Sequence, residues 1–275
     1  MNDTFYLFRG CLIPTRLPFL ERSSLFVLDK MQVDYQPLPS ATCCVEPIGL
    51  KSLALDTWLV VAARLLSIAE EKNRNILTLC NGCLMSLKEA KHALESQGVK
   101  DRVNEVLADI GRRYTGKIDI IHLVDLIAEN RTKLNELVVR KNTGMRVAIH
   151  PGCHLVRPTE LTSHDQTYYT RILSEIACSL GADVVVQEDW PKCCGGGVSS
   201  INEGLSSAVL NELISEFAAA GANYILTPCP FCFIQFDLRQ KQGIPVLYFS
   251  EFLALALGAS PEEIGLRYHK TRVVL

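Results

Sequence analysis

Ten of the eleven cysteines recur at an almost constant interval, and no other feature of the chain restricts its fold as tightly. Cys11, the pair Cys43–Cys44 and Cys80-Asn-Gly-Cys83 form one set; Cys153, the pair Cys193–Cys194 and Cys229-Pro-Phe-Cys232 form another. The offsets between equivalents are 142, 150, 150, 149 and 149 residues. The spacers are 31 and 35 residues in the first set, 39 and 34 in the second. Five matched positions mark an internal duplication, with halves at residues 1–142 and 143–275.

The flanking sequence repeats as well. Strand-like Thr4–Phe8 leads to Gly10-Cys11, and strand-like Arg146–His150 leads to Gly152-Cys153. Helix-period segments follow at Pro18–Met31 and Thr167–Leu180, then short β-rich runs at Val33–Gln36 and Asp183–Gln187, then the cysteine pairs. Helical patterns at Gly49–Glu71 and Ser199–Ala220 precede strands Asn75–Leu79 and Tyr224–Thr227, which run into each Cys-x-x-Cys. Ile120–Leu123 and Val246–Phe249 close the halves. Alternation of this kind predicts an α/β fold, two open parallel Rossmann-like sheets with the cysteines at strand carboxyl ends. Ligands bind in that crevice in open α/β sheets. The halves differ after the Cys-x-x-Cys: Cys83 to His122 is 39 residues, Cys232 to Tyr248 only 16. The surplus near Leu94–Gly111 reads as an extra surface helix.

Bulk properties narrow the function. A hydrophobic content of 48% in 275 residues suits a packed globular protein, and a net charge of −2 gives nucleic acid or an anionic membrane nothing to bind. Met1-Asn2-Asp3-Thr4 lacks a basic n-region, so export is not expected. The most apolar long stretch, Leu53–Ala69, is broken by Asp56 and Arg64 and reads as a buried amphipathic helix. In such a chain eleven cysteines argue for metal or redox sites and not disulfides. The expected location is cytoplasmic.

Five thiols per half exceed the four that satisfy structural zinc, a cubane or a two-iron cluster. A Cys-x-x-Cys at a helix start also favours thiolates. A larger or irregular iron–sulfur centre is therefore expected in each half; zinc in one half or both is the alternative.

A solitary cysteine, a Cys-Cys pair and a Cys-x-x-Cys at these distances resemble the cysteine-rich CCG domain family. Two tandem copies over the whole chain resemble its heterodisulfide reductase B subunits, on Cys80-Asn-Gly-Cys83, Gly152-Cys153-His154-Leu155, Cys193-Cys194-Gly195 and Pro228-Cys229-Pro230-Phe231-Cys232. The resemblance implies two non-cubane 4Fe–4S clusters. One would be held by Cys11, Cys43, Cys44, Cys80 and Cys83, the other by Cys153, Cys193, Cys194, Cys229 and Cys232. It implies two-electron reduction of the coenzyme M–coenzyme B mixed disulfide to two thiols. The implied partners are a ferredoxin-like C subunit, a flavin-carrying A subunit and, in some organisms, a hydrogenase or formate dehydrogenase. Other CCG proteins serve sulfur-oxidising complexes and quinone-linked dehydrogenases, so pure electron transfer is the alternative function. The sequence departs from the family at Cys43-Cys44-Val45-Glu46-Pro47, where the second half has Gly195.

His154 is a candidate proton donor to a product thiolate. Lys192 and Arg157, with Lys88, lie beside the motifs and are candidates for the anionic groups of the coenzymes. His150, on a buried strand, reads as structural. Cys178 breaks the repeat and reads as a small buried residue, and Trp190 as a core aromatic. Gly195-Gly196-Gly197 lacks the Gly-Lys-Ser/Thr of a phosphate loop and reads as turn geometry beside ligands.

Overall fold

The computed structural model describes residues 4–45, 49–162, 167–187 and 192–275. Trp190, Glu46 and Pro47 lie outside them. The chain packs as two compact units: Met1–Cys11 with Val33–Leu123, and Leu12–Gln32 with Val124–Leu275.

The first unit holds strands β1 (Phe5–Phe8), β2 (Tyr35–Pro37), β3 (Ile76–Thr78) and β4 (Ile120–His122), in the order β2-β1-β3-β4. The second holds β5 (Arg146–Ile149), β6 (Asp183–Gln187), β7 (Tyr224–Thr227) and β8 (Val246–Tyr248), in the order β6-β5-β7-β8. Every pairing is parallel. The two sheets thus share one topology, and the expected α/β duplication holds. Parallel central strands are covered on both faces, and β3 and β7 are buried along their whole length.

Each sheet has its switch point at its central pair, since the chain leaves the first strand to one side and returns on the other. The crevice opens there, at the carboxyl ends. Cys11 and Cys80 follow β1 and β3; Cys153 and Cys229 follow β5 and β7.

In the first unit, helix Leu55–Glu70 buries Trp58, Leu59, Leu65 and Leu66. The expected single helix over Gly49–Glu71 is two, Leu50–Leu53 and Leu55–Glu70, because Ala54 leaves the helical region (φ −149°, ψ 73°). The surplus segment is helix Gln97–Ala108. Its Asn104 fastens the following loop, donating to the Tyr114 carbonyl at 3.1 Å and accepting from the Tyr114 amide at 2.8 Å.

In the second unit, helix Pro18–Lys30 packs on helix Phe249–Ala256. The contact is partly polar: Ser23 Oγ lies 2.7 Å and Ser24 Oγ 3.0 Å from Ser250 Oγ, and all three residues are fully buried. The repeat boundary at 142/143 marks where the sequence pattern recurs. The units mark where packing falls, and helix Pro18–Lys30 lies in the unit of the second sheet.

The end of the chain is clamped to this unit. Glu251, fully buried, accepts from the Tyr248 amide at 2.8 Å and pairs with His269 Nε2 at 2.8 Å. Buried Asp237 accepts from the amides of Lys270 and Thr271, both at 2.9 Å. Burial opposes the charge on His269, but Glu251 and then Asp237 hold its pKa above the ordinary 6.5.

Helix Glu203–Ala219 starts later than the periodicity suggests, because Asn202 caps it, accepting from the Leu205 amide at 2.9 Å. Cys178, expected to be buried, is exposed. Helix Tyr168–Ser179 buries Ile172, Leu173, Ile176 and Ala177, and position 178 falls beside that stripe.

Candidate iron–sulfur centres

In each unit the fold gathers the five cysteines of one set. In the first, hydrogen-bond contacts run in series from Cys11 to Cys43, Cys44, Cys83 and Cys80. In the second they run from Cys153 to Cys193, Cys194, Cys232 and Cys229. The order matches position for position. Cys44, Cys80 and Cys83 are buried while Cys11 and Cys43 are half-buried; Cys194, Cys229 and Cys232 are buried, Cys153 half-buried and Cys193 exposed. Each group therefore has a deep side of three sulfurs and an open side of two.

Local backbone makes this approach feasible. Cys80 and Cys229 cap helices Asn81–Ala93 and Pro230–Ile234, so Cys83 and Cys232 lie one turn in and return to the same edge. Gly10 has φ +68°, and a Cβ there would meet Cys83 Sγ at 2.7 Å, so only glycine lets β1 turn into Cys11.

The turn after each cysteine pair is left-handed in both units. Gly195 has φ +79° and Val45 φ +54°. The positive φ is thus kept where the first motif lacks the glycine; a β-branched residue adopts it at a conformational cost.

The carbonyls of these turns are held by side chains that cysteine spacing does not reveal. Ser86, three residues after Cys83, lies 2.9 Å from the Cys44 carbonyl and 3.1 Å from that of Val45. Its Oγ accepts from Trp58 Nε1 at 2.9 Å. Gln235, three residues after Cys232, donates to the Cys194 carbonyl at 3.0 Å and to Ser206 Oγ at 3.0 Å. Ser206 Oγ donates to the Gly195 carbonyl at 2.9 Å. The repeat offset aligns Ser86 with Gln235, so one position serves both turns with different chemistry. Gln235 opens a π-helical turn, Gln235–Arg239, of the kind that often marks functional sites.

Electrostatics test what such a group can hold. Hydrogen bonding to Cys43 and then burial keep the Cys11 thiol protonated far above its usual range. Cys44 is pushed the same way, its contact with Cys43 being the main cause; for Cys83 it is its contact with Cys44. In the second unit, hydrogen bonds from Cys153 and Cys194 pull Cys193 down to about 2, and its contact with Cys193 pushes Cys194 up to about 12. Close thiols cannot all ionise unless positive charge is supplied among them. Iron ions supply that charge and bind thiolates, so the donor set fits an iron–sulfur group.

His150 follows β5 and is fully buried, as expected of that strand. Its surroundings leave no trace in the sequence: a ring nitrogen, Cys194 Sγ and Cys232 Sγ all lie within 4.8 Å of one another. Burial lowers its pKa to about 4.

Among the other candidates, His154 and Arg157 are half-buried close to Cys153 in sequence. Lys192 is exposed and its ammonium is shared by Glu216 and Glu212, the latter at 3.4 Å.

A model of the cysteine-rich CCG domain matches residues 5–88 and 147–237. This defines a protein with two cysteine-rich redox domains in tandem. The chain is 36% identical over 274 residues to the B subunit of the ferredoxin/F(420)H(2)-dependent CoB-CoM heterodisulfide reductase of Methanosarcina acetivorans, covering 94% of this chain and 91% of that protein. It belongs to the family of heterodisulfide reductase B subunits among the CCG proteins. It is also 28% identical to the 8-methylmenaquinol:fumarate reductase membrane anchor subunit of Wolinella succinogenes, over 98% of this chain and 97% of that one. No helix among the described residues is long and apolar enough to cross a membrane. The fold resembles the crystal structure of a hypothetical protein from Helicobacter pylori, with TM-score 0.72 and 16% identity over 99% of this chain and 52% of that one.

Proposed function

We propose that this chain is the catalytic iron–sulfur subunit of a heterodisulfide reductase, reducing the coenzyme M–coenzyme B mixed disulfide to two thiols. Cys11, Cys43, Cys44, Cys80 and Cys83 would hold one non-cubane 4Fe–4S cluster. Cys153, Cys193, Cys194, Cys229 and Cys232 would hold the second, one cluster for each repeat half, 1–142 and 143–275. The observation that carries this reading is the series of five thiols joined by four contacts, in the same order in both units. Four thiolates complete zinc or an ordinary cluster, and a fifth in the same series argues for a larger centre.

When bound, such clusters supply single electrons at a potential set by their surroundings. Breaking one S–S bond to two S–H groups takes two electrons and two protons, which suits a chain with two centres. The chain's own residues then have distinct tasks. Ser86 and Gln235 fix the turns that carry the paired cysteines. The open side at Cys153 and Cys193 leaves room for a sulfur substrate. His154 is the candidate proton donor, and Arg157 the candidate contact for a substrate anion. Lys192 could serve an anion only in competition with Glu212 and Glu216.

Electrons would come from a ferredoxin-like C subunit and a flavin-carrying A subunit, with a hydrogenase or formate dehydrogenase behind them. A reducing cytoplasm would keep the cysteines as thiols. The relation to a fumarate reductase subunit favours one second reading, in which the centres only pass electrons to a partner.

Electron paramagnetic resonance (EPR) of the oxidised, anaerobically purified chain, with and without coenzyme M thiol, separates the two. A new signal on thiol addition supports the disulfide reaction. An iron–sulfur spectrum indifferent to thiol favours electron transfer alone.

A further inference from the structure

The second thiol group has a neighbour that the first lacks. His150 stands three residues before Cys153, and its counterpart three residues before Cys11 is Phe8. Both occupy the same place in their sheets. Phe8 is paired with Thr78 in β3, and the His150 amide donates to the Leu226 carbonyl at 2.9 Å, one residue before Thr227, the counterpart of Thr78. Both are buried, Phe8 at 1% exposure and His150 at 0%. A phenyl ring is at rest in such a place; an imidazole is not.

Both ring nitrogens of His150 lack a hydrogen-bond partner. A buried polar side chain in that condition is rare in native proteins, and where it occurs it points to an ion or group bound beside it. The ring is held by Phe236, edge to face at 4.9 Å and 83°. One nitrogen shares a space with Cys194 Sγ and Cys232 Sγ, the three mutually within 4.8 Å. Neither sulfur is hydrogen-bonded to the ring, since both ring nitrogens are unpartnered. Donor atoms this close can converge on one bound group, since Zn–S and Zn–N bonds of about 2.3 and 2.0–2.1 Å place two ligands of one ion within about 4.4 Å of each other.

We propose that His150 is a sixth member of the second centre, giving an imidazole nitrogen to the group held at the Cys194–Cys232 corner, and that this makes the two centres chemically unequal. The inference rests on the reading that this thiol group holds an iron–sulfur centre. Whether the nitrogen binds iron or donates its N–H to sulfur, it adds no negative charge and favours the reduced state. Both arrangements raise the reduction potential. The second centre accepts electrons more readily than it would with the phenyl ring of the first half.

The test uses the full chain, purified without oxygen after growth on 15N-histidine, with iron and sulfide measured on every sample. Pulsed EPR of the wild type is expected to show one 15N coupling that persists in His154→Ala and vanishes in His150→Phe. Redox titration is expected to show one centre of His150→Phe shifted downward by about tenfold in its redox equilibrium, ~59 mV for one electron, with the other centre unmoved. His150→Gln, which keeps an N–H, should recover part of the shift. If His150→Phe fails to accumulate, loss of the 15N coupling in His150→Gln, which carries no labelled imidazole at that position, decides the matter. Iron and sulfide at wild-type levels with no 15N coupling, or with both potentials unchanged in His150→Phe, overturns this inference alone. A wild-type chain without iron and sulfide overturns the functional reading and this inference together.

Discussion

The residue that follows each cysteine pair has a positive φ, yet one is Val45 and the other Gly195. The difference lies in what stands behind them. A Cβ on Gly195 would meet the Ser206 carbonyl oxygen at 2.8 Å and its Cα at 3.2 Å. Helix Glu203–Ala219 therefore sits against the second turn and leaves no space for a side chain. In the first unit Ser86, held by Trp58, bonds the Cys44 and Val45 carbonyls. A duplicated motif can thus preserve its geometry while its support is rebuilt, and the residues that matter are those that hold the carbonyls.

This comparison can be broken most forcefully at Gly195. Gly195→Val should cost about 2–5 kcal/mol, from the left-handed conformation and from overpacking against Ser206. The reverse change, Val45→Gly, should stabilise the first unit by about 0.5–1 kcal/mol, the relief of strain less the entropy of glycine. Denaturant titration of both variants checks the opposite signs. If Gly195→Val is neutral, the two turns are not supported differently.

Next in size are the carbonyl holders. Ser86→Ala removes a partner from Trp58 Nε1 and from the Cys44 carbonyl and should cost about 1–3 kcal/mol. Gln235→Leu should cost a similar amount through the Cys194 carbonyl. Hydrogen exchange should locate the first loss near residues 43–58 and the second near 193–206. Losses in the same place for both would contradict separate supports.

A smaller, pH-dependent effect arises where the chain end is clamped to the second unit. His269 has a raised pKa in the fold, so its protonated pairing with Glu251 is fully present below its unfolded value of about 6.5. The stabilisation is lost as pH rises through the raised value. Melting temperature should therefore fall as pH rises above about 6.5 and through the raised value, and His269→Gln should flatten that slope. The smallest effect is expected at exposed Cys178, where Cys178→Ala should change stability by no more than about 0.5 kcal/mol and leave iron content intact.

What can be read in advance follows the reach of each signal. The eight strands and the five-cysteine sets rest on local patterns and on spacing, and those survive in one dimension. Packing partners do not. Ser23, Ser24 and Ser250 look like surface hydroxyls in sequence but bond to one another in a buried contact. Helix Pro18–Lys30 consequently joins the second unit, although its periodicity says only that one face is buried. Ser86, Gln235 and Ser206 carry no motif, and only their positions after the cysteines hint at a role. Asn202, by contrast, has the residue type of a cap ahead of Glu203, a signal that periodicity alone passes over. For Val45, the missing glycine suggests a different local geometry, while the positive φ is kept. The strand pattern shows that His150 is buried, but periodicity cannot show that a buried imidazole has sulfur for a neighbour.

The most direct test of the account is elemental analysis of iron, sulfide and zinc on anaerobically purified wild type, Cys44→Ser and Cys194→Ser. The account predicts about eight irons and eight sulfides in the wild type. Each variant should lose roughly half of both while keeping the EPR signal of the centre it does not touch. Zinc in place of iron, or full iron and sulfide in either variant, would contradict the assignment of one five-cysteine iron–sulfur centre to each set.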